Sequence, residues 1–443
     1  MSDQTNAGFR VYRYRWVVLA VFMLVNITMQ MLWISYAPIT SLASQYYGVS
    51  SLAIGVLAMS FMIAFIPLSL PAAWVIDTRG FRVAVGFGVV LMGVFAIARG
   101  LAGANYTLVL LSTIGIAVAQ PFLLDAWTKV PANWFAPGQR ATAVGLVTLA
   151  SMLGVAIGMA LTPILANSMS AANVQLVYGA MAAASAVAFL ALAREKPATP
   201  PCPPGMEERA LMLDGLKHAL TVRPFLVMLG IAFIVMGAFN GVTTWVEEII
   251  RPRGFSPTEA GVMGALMLLA GIIGAVVLSA LSDRRRRRTP FIVFALVATV
   301  PGMLGVTFAT STGMLFASAL VFGFFIVPVL PLGMQYAAEI SHPTPEGTSS
   351  GLIQLCGQVS VVFVYVMAAL RTANGSYTVS LLLSAALLIA GAVVVSRLRD
   401  TRPAAAQAAA ALRRRPSSSP PASLASEALG QHDLGAERSS GHG

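Results

Sequence analysis

Twelve apolar runs, each about 20 residues long or longer, limit what this chain can fold into, because a helix needs about that many apolar residues to cross a bilayer. A water-soluble domain could not bury them all, since 57% of the 443 residues are hydrophobic and only 10% are charged. We therefore predict an all-α membrane protein. The predicted spans are 16–39, 52–75, 82–102, 106–130, 141–165, 174–193, 224–247, 258–281, 290–310, 312–337, 349–371 and 376–397.

The residues outside these runs divide the chain into two parts. Residues 194–223 combine prolines with charged residues after the sixth span, a composition typical of a linker. The segment after the twelfth span is rich in Ala, Ser and Pro, which is typical of a disordered tail. We predict a six-helix half at 1–193, a cytoplasmic linker at 194–223, a second six-helix half at 224–397 and a cytoplasmic tail at 398–443.

Arginines mark one side of the predicted membrane protein. Arg13, Arg82, Arg140 and Arg285 lie in alternate loops, and loops rich in basic residues usually face the cytoplasm. We therefore predict a multi-pass protein with both termini cytoplasmic, and the short loops and Ala- and Arg-rich composition favour a bacterial inner membrane. The net charge of +11 suits contact with anionic lipid headgroups. Membrane lipids are thus expected partners, and nucleic acid is not.

The second half of the chain repeats features of the first at a constant distance. Gly48 recurs as Gly254 and Asp77 as Asp283, and both pairs are 206 residues apart. The constant distance indicates tandem duplication of a six-helix unit. Two parallel six-helix halves, related by an axis along the membrane normal, form the major facilitator fold, and this sequence resembles that pattern. The predicted fold class is an all-α membrane protein with the major facilitator fold, twelve transmembrane helices in two six-helix halves.

Two loops carry a matching acidic and basic motif. The loop after the second span contains WVIDTRGFRVAV, and the loop after the eighth contains LSDRRRRRTPF. Both resemble the D-x-x-G-R-R signature of the major facilitator superfamily. A carboxylate at a helix end, followed by a glycine turn and arginines, can pair with a neighbouring helix and hold one conformation. We predict gate roles for Asp77, Gly80, Arg82 and Asp283; ordinary surface ion pairs are the alternative.

The first span contains a candidate aromatic surface. Trp33 and Tyr36 are three residues apart, a spacing that puts both side chains on one face of a helix, and Gln30 precedes them by three more. Polar groups within membrane spans are costly and are often functional. We predict that Trp33 and Tyr36 bind substrate; packing, or an aromatic belt at the membrane interface, is the alternative.

Polar residues in the fourth and eleventh spans are further candidates. Gln120 precedes a proline, which can free a backbone carbonyl in mid-helix, and Gln358 lies in the eleventh span. We predict that both bind substrate, with an interhelical hydrogen bond as the alternative for Gln358. Asp125 is a candidate for proton coupling; its alternative is an (i, i+4) ion pair with Lys129.

The seventh span ends in polar and aromatic residues. Asn240, Thr244 and Glu247 share a helical face, with Trp245 and Glu248 on an adjacent one. A carboxylate beside an aromatic ring attracts a cation through its charge and through the ring quadrupole. We predict that Asn240, Thr244, Trp245 and Glu247 bind substrate and that Glu247 and Glu248 are coupling candidates. The alternative is that both glutamates form ion pairs with the two arginines that follow.

The most distinctive segments are WISYAPI in the first span, AVAQPFLL with VPANWF in the fourth, and LPLGMQYAAEISHPTPEGTSSGLIQLCGQV across the tenth and eleventh. They resemble the feline leukemia virus subgroup C receptor family of major facilitator transporters, solute carrier family 49. Members carry choline and ethanolamine, and haem transport has been ascribed to some. The resemblance implies a choline site at Trp33, Gln120 and Gln358. Asn240 replaces the family's seventh-span tyrosine, which removes one aromatic wall of that site.

Motifs for nucleotide hydrolysis and zinc hydrolysis are missing, since the sequence contains neither GxxxxGK[ST] nor HExxH. We expect no enzyme, no cofactor and no metal site. The leading hypothesis is a secondary active or facilitative transporter of a small organic solute, such as choline or ethanolamine, that works as a monomer by alternating access. One alternative is an exporter of another metabolite, drug or haem on the same scaffold. Another, from a different class, is a membrane receptor or sensor that does not transport.

Overall fold

The computed structural model describes residues 12–197, 199, 218–285, 287–341, 346–372 and 374–398. Within these residues, twelve helices are long and apolar enough to cross a membrane, which confirms the twelve spans predicted from the sequence. All described residues belong to one compact unit, Met1–Thr401. Most of the predicted linker and, apart from Leu398, the whole predicted tail lie outside the described residues.

The first six spans and the segments between them contain eight helices and one 3-10 turn. They are α1 (Arg15–Ile34), the 3-10 turn Ala37–Ile39, α2 (Thr40–Tyr47), α3 (Ser51–Arg79), α4 (Phe81–Leu101), α5 (Tyr106–Leu124), α6 (Lys129–Trp134), α7 (Pro137–Ala166) and α8 (Ala171–Leu192). The first span comprises α1, the 3-10 turn and α2. It therefore reaches eight residues further than the predicted end at residue 39.

The other six spans and the segments between them contain nine helices and a second 3-10 turn. They are α9 (Arg223–Thr244), α10 (Val246–Ile250), the 3-10 turn Arg251–Arg253, α11 (Pro257–Arg285), α12 (Thr289–Phe308), α13 (Thr312–Ile326), α14 (Val329–Ile340), α15 (Glu346–Val359), α16 (Val361–Ala369) and α17 (Thr378–Ser396). Helical interruptions at Trp245, Pro328 and Ser360 separate α9 from α10, α13 from α14 and α15 from α16. At Pro328 the missing N–H and the ring's clash with the preceding turn explain the interruption.

Within each half, successive spans run in opposite directions because short connections join them. The bundle therefore has two ends. One end, where α1 begins and α17 ends, carries Arg79, Arg285 and Arg397, and we call it the termini side. The opposite end carries the two 3-10 turns, and we call it the far side.

The sequence repeat corresponds to a repeated local structure at the far side. Gly48 and Gly254 both have left-handed backbones, with φ of 66° and 87°, a conformation that glycine adopts without steric cost. Ser50 and Ser256 then begin α3 and α11, and each Oγ accepts a backbone N–H three residues later, at 3.2 and 3.3 Å. The same turn and cap therefore open the second span of each half.

The two halves pack through α7 against α11 and through α3 against α15 and α16. At the far side, Gly55 lies directly against the Trp245 ring, and Gly261 lies against the Met159 carbonyl oxygen and Pro163. Any Cβ at either glycine would overlap these atoms. Gly55 and Gly261 are related by the repeat, so each half contributes the same glycine to the contact that closes the far side.

Candidate functional site

Gln120 is the clearest candidate ligand in the first half. Its side chain on α5 is 5% exposed, and its Oε1 accepts no hydrogen bond from the described residues. An unsatisfied buried acceptor costs about 1–3 kcal/mol, which favours a ligand or water that donates to it. Gln30 on α1 and Ser151 on α7 also have unpaired side-chain oxygens. The first half therefore offers hydrogen-bond acceptors on three helices.

Trp33 and Tyr36, which the sequence predicts on one surface, have different contacts in the structure. The Trp33 Nε1 donates to the carbonyl oxygen of Ala58 on α3 at 3.3 Å. The Tyr36 hydroxyl lies 3.0 Å from the Tyr47 hydroxyl, and the Arg99 guanidinium lies 5.5 Å from the centre of the Tyr36 ring. The two aromatic side chains therefore contact different groups of the first half.

The predicted polar residues of the second half lie where the seventh and eleventh spans meet. The Asn240 Nδ2 donates to the Ser360 Oγ at 3.4 Å, at the interruption between α15 and α16. Gln358 is 8% exposed and lies two residues before that interruption. The Thr244 hydroxyl is buried and has no hydrogen-bond partner among the described residues. Asn240 and Gln358 are thus held near one interruption of the backbone, where polar groups are expected in a binding site.

Trp245 is packed on several sides and leaves no ring surface open. It is fully buried, its ring stacks on Tyr377 with centroids 5.9 Å apart, and Gly55 lies against the ring edge. Its Nε1 donates to the Val364 carbonyl oxygen at 3.0 Å. In this conformation Trp245 therefore joins α9, α3 and α16, and it does not present a ring face to a solute.

Glu247 joins the two halves at the far side. Its buried carboxylate accepts hydrogen bonds from the Ser41 backbone N–H, at 2.7 Å, and from the Ser41 hydroxyl. Ser41 and Glu247 are 206 residues apart, which is the distance of the repeat. Two equivalent residues can touch only close to the axis that relates the halves, so this contact lies at the centre of the bundle's far side.

Glu248 forms ion pairs, as the alternative interpretation predicted for both glutamates. Its carboxylate lies 3.0 Å from Arg251 and 3.0 Å from Arg371, and it is fully buried. Arg253 donates instead to the carbonyl oxygens of Thr307, Ala309 and Ile249. Neighbouring glutamates therefore have different partners, since Glu248 binds arginines of its own half and Glu247 binds the other half.

At the termini side, the predicted ion pair between Asp125 and Lys129 does not form. Lys129 instead pairs with Asp77 at 3.1 Å, and Asp125 accepts a hydrogen bond from the Ser69 hydroxyl at 3.0 Å. Helix α5 ends before Asp125 and α6 begins at Lys129, so the two residues are not one helical turn apart. Asp77 thus joins the end of its own span to α6, the short helix that follows the fourth span.

Gly80 allows a tight turn, and a carboxylate that is distant in the sequence binds the start of the helix that follows. Gly80 has a φ of 87°, and the Glu195 carboxylate accepts the backbone N–H groups of Phe81 and Arg82 at 3.1 and 2.6 Å. Glu195 therefore caps the positive end of α4. Arg82 contributes its backbone to this contact and exposes its side chain. The sequence reasoning missed Glu195, whose only signal was an acidic residue directly after the sixth span.

In the matching loop of the second half, one arginine contacts two carboxylates. Arg288 pairs with Asp283, and its Nε lies 3.2 Å from a Glu339 carboxylate oxygen on α14. This links the end of α11 to the tenth span, whereas Asp77 links the end of the second span to α6. The two loops are thus related in position and use different ion pairs.

The described residues contain no cluster of three or more His, Cys, Asp or Glu side chains that could hold a metal. The stretch GTSSG at 347–351 fits the G-x-S-x-G pattern of hydrolases. That pattern needs a sharp turn from strand to helix to expose the serine, whereas this stretch is helical within α15. The stretch therefore belongs to a membrane-spanning helix and does not form the hydrolase turn.

The family model of the Major Facilitator Superfamily matches residues 19–256 and 246–432. With twelve spans in two six-helix halves, the chain belongs to the Major Facilitator Superfamily and is a multi-pass membrane transporter. It is similar to the choline/ethanolamine transporter FLVCR1 of Felis catus, with 31% identity over 384 residues that cover 81% of this chain and 68% of the relative. It is also similar to solute carrier family 49 member A3 of Xenopus tropicalis, with 30% identity over 384 residues that cover 83% and 80%.

These relatives confirm the family resemblance found in the sequence, and they are transporters rather than enzymes. Among solved structures, a bacterial homolog of the human lysosomal transporter Spinster, inward-facing and unoccupied, matches with a TM-score of 0.66 and 15% identity, covering 87% of this chain and 96% of that one. The human organic anion transporter MFSD10 matches with a TM-score of 0.61 and 15% identity, covering 86% and 99%. At such identities the similarity shows the fold alone.

Proposed function

We propose that this protein transports a small organic amine, choline or ethanolamine, by alternating access, as a facilitator or a secondary active transporter. The observation that carries the proposal is the buried, unpaired Oε1 of Gln120. The family resemblance assigns this glutamine to the choline site. The relative named a choline/ethanolamine transporter supports the same class of solute.

The solute would bind between the halves near the middle of the membrane, where transporters of this fold bind substrate. Trp33 would provide a ring face for the ammonium group, and Gln120 would accept one of its hydrogens. Asn240 and Gln358 would contribute polar contacts from the second half. A primary ammonium can donate three hydrogen bonds whereas a quaternary ammonium donates none, so ethanolamine suits the unpaired acceptors better than choline.

Other predicted ligands would contact the solute only in a different state of the transport cycle. Trp245 is covered by Gly55 and the Glu247 carboxylate is bound to Ser41. We propose that these contacts are a far-side gate, and that both residues become accessible when the halves separate there. Asp125, Glu247 and Glu248 remain coupling candidates, because each carboxylate lies at the end of a span.

We also propose how the protein sits in the cell. The arginines of the termini side favour a cytoplasmic location for that side, in a bacterial inner membrane, with anionic lipids as neighbours and a single chain as the working unit. The proposed domain bounds are 1–193 and 224–397 for the halves, 194–223 for the linker and 398–443 for the tail. Asp77, Gly80, Arg82 and Asp283 are the proposed gate residues of the termini side.

Uptake of radiolabelled choline and ethanolamine into proteoliposomes tests the substrate. We expect saturable uptake by the unmodified protein and its loss in Trp33→Ala and in Gln120→Ala. Trp74→Ala is the matched control, because Trp74 is 63% exposed on the outer surface of the second span. Its uptake should equal that of the unmodified protein.

Each outcome separates the candidate functions. Uptake no greater than that of empty liposomes would contradict the amine proposal and favour another solute. Asn240, which stands in place of the family's seventh-span tyrosine, supports that alternative. Binding of either amine without any uptake would favour a receptor or sensor. An equal loss of uptake in Trp74→Ala would show that the substitutions damage the protein in general and do not remove a binding contact.

A further inference from the structure

Arg99 is a buried arginine with no acidic partner among the described residues. It lies two residues before the end of α4, on the far side, and is 0% exposed. Its Nη1 donates to the Leu32 carbonyl oxygen at 3.1 Å, and its Nη2 lies 3.5 Å from the Ser35 hydroxyl oxygen. Its Nε has no hydrogen-bond partner among the described residues. A positive charge is therefore buried with its Nε–H unused.

Burial of an uncompensated charge is costly, and proteins normally pair such a charge. The carbonyl groups at the end of α4 offset part of it, but not a full unit charge. The contacts of the described carboxylates lie elsewhere, as shown for Asp77, Asp125, Glu195, Glu247, Glu248, Glu259, Asp283 and Glu339. The compensating charge for Arg99 is thus not provided by these side chains.

The neighbours of Arg99 add further unused donors. Gln175 on α8 is fully buried; its Oε1 accepts a hydrogen bond from the Ser35 hydroxyl at 3.2 Å, while its Nε2 has no partner among the described residues. The Tyr36 and Tyr47 hydroxyls lie 3.0 Å apart, so only one of their two hydrogens is needed between them. Donors therefore outnumber acceptors in this cluster.

We propose that the guanidinium of Arg99 and the side-chain amide of Gln175, which with Ser35 are named here the Arg99 cluster, bind a small monovalent anion such as chloride. One negative charge balances the one guanidinium, and a spherical anion accepts from several donors at once. A dianion would leave a negative charge among apolar residues, which is unfavourable. The bound anion would hold together the ends of α1 and α4 and the start of α8. The proposal does not depend on the identity of the transported solute.

Thermal unfolding of the purified full chain in detergent tests the site. A ligand that binds only the folded state raises stability with its concentration. We expect a saturable rise in the unfolding temperature in sodium chloride and sodium bromide, and none in sodium gluconate at the same ionic strength. Identical curves in chloride and gluconate would overturn the proposal and indicate that water satisfies the donors.

Variants locate the anion. Arg99→Gln should abolish the difference between chloride and gluconate, and Gln175→Met should raise the half-saturating chloride concentration about tenfold, as expected for one lost hydrogen bond to a charged group. Arg253→Gln is the control, because Arg253 donates to three carbonyl oxygens of the second half. It should keep the full chloride response even if its unfolding temperature falls.

If Arg99→Gln does not fold, chloride titrations of the unmodified protein and of Gln175→Met still test whether the Arg99 cluster binds the anion. A chloride response that is unchanged in Gln175→Met would place the anion elsewhere and contradict the assignment. A response lost equally in Arg253→Gln would do the same.

Discussion

Glu195 is a single residue on which the start of a whole helix depends. Its carboxylate accepts the first two N–H groups of α4, at Phe81 and Arg82. We predict that Glu195→Ala lowers the free energy of unfolding by about 1 kcal/mol, as loss of a helix cap usually does. Denaturant or thermal unfolding of the purified protein measures the change. The exposed neighbour Lys196, changed to Ala, is the control, and an equal loss there would contradict the capping role.

Contacts such as that between Glu195 and the start of α4 could not be predicted from the sequence. Glu195 and Phe81 are 114 residues apart, and nothing in the local pattern of either connects them. Trp33 and Gln120 could be selected because a polar or amphipathic side chain inside an apolar run is unusual. The environment of Tyr36 could not be predicted, because it depends on contacts with Tyr47 and with the buried Arg99.

At the scale of helices, the two related glycines control how closely the halves approach. A Cβ at Gly261 would overlap the Met159 carbonyl oxygen, and backbone atoms cannot move aside as a flexible side chain can. We predict that Gly261→Ala destabilises the protein by about 1–3 kcal/mol, the usual effect of overpacking. Thermal unfolding measures it.

Gly230 provides the matched control within another span. A Cβ there meets nothing within 4 Å, and alanine in a helix is favoured over glycine by about 0.5–1 kcal/mol. Gly230→Ala should therefore leave stability unchanged or raise it. A Gly261→Ala variant as stable as Gly230→Ala would show that the α7–α11 contact is looser than the structure indicates.

The spans themselves were predictable, whereas their interruptions were not. Length and apolarity alone mark a span, so all twelve were found from the sequence. The breaks at Trp245 and Ser360 lie at contacts with α3 and α9, which are far away in the sequence. The spacing could not show that the Trp245 ring packs between the halves, against Gly55 and the Val364 carbonyl oxygen.

At the scale of the whole molecule, the contact between Ser41 and Glu247 lies where the two halves meet on their common axis. We predict that Glu247→Ala favours a conformation open at the far side, because it removes the acceptor of two hydrogen bonds from the other half. Electron–electron distance measurements between spin labels at Ser168 and Asn374 should show a larger population of long distances. Glu259→Ala is the control, since Glu259 bonds only within its own half, to Ser256 and Thr312. Equal distance distributions in all three proteins would contradict a gate at Ser41 and Glu247.

The orientation of the molecule follows from its arginines and can be tested by labelling. Single cysteines are introduced at Ser168, exposed on the far side, and at Lys196, exposed on the termini side, after the two native cysteines are changed to Ser. Because basic loops remain in the cytoplasm, a membrane-impermeant maleimide added to intact cells should label Ser168→Cys. Lys196→Cys should react only after the cells are opened, which also proves that this cysteine is reactive. Labelling of Lys196→Cys in intact cells, with protection of Ser168→Cys, would invert the proposed topology and place the gate formed by Ser41 and Glu247 on the cytoplasmic side.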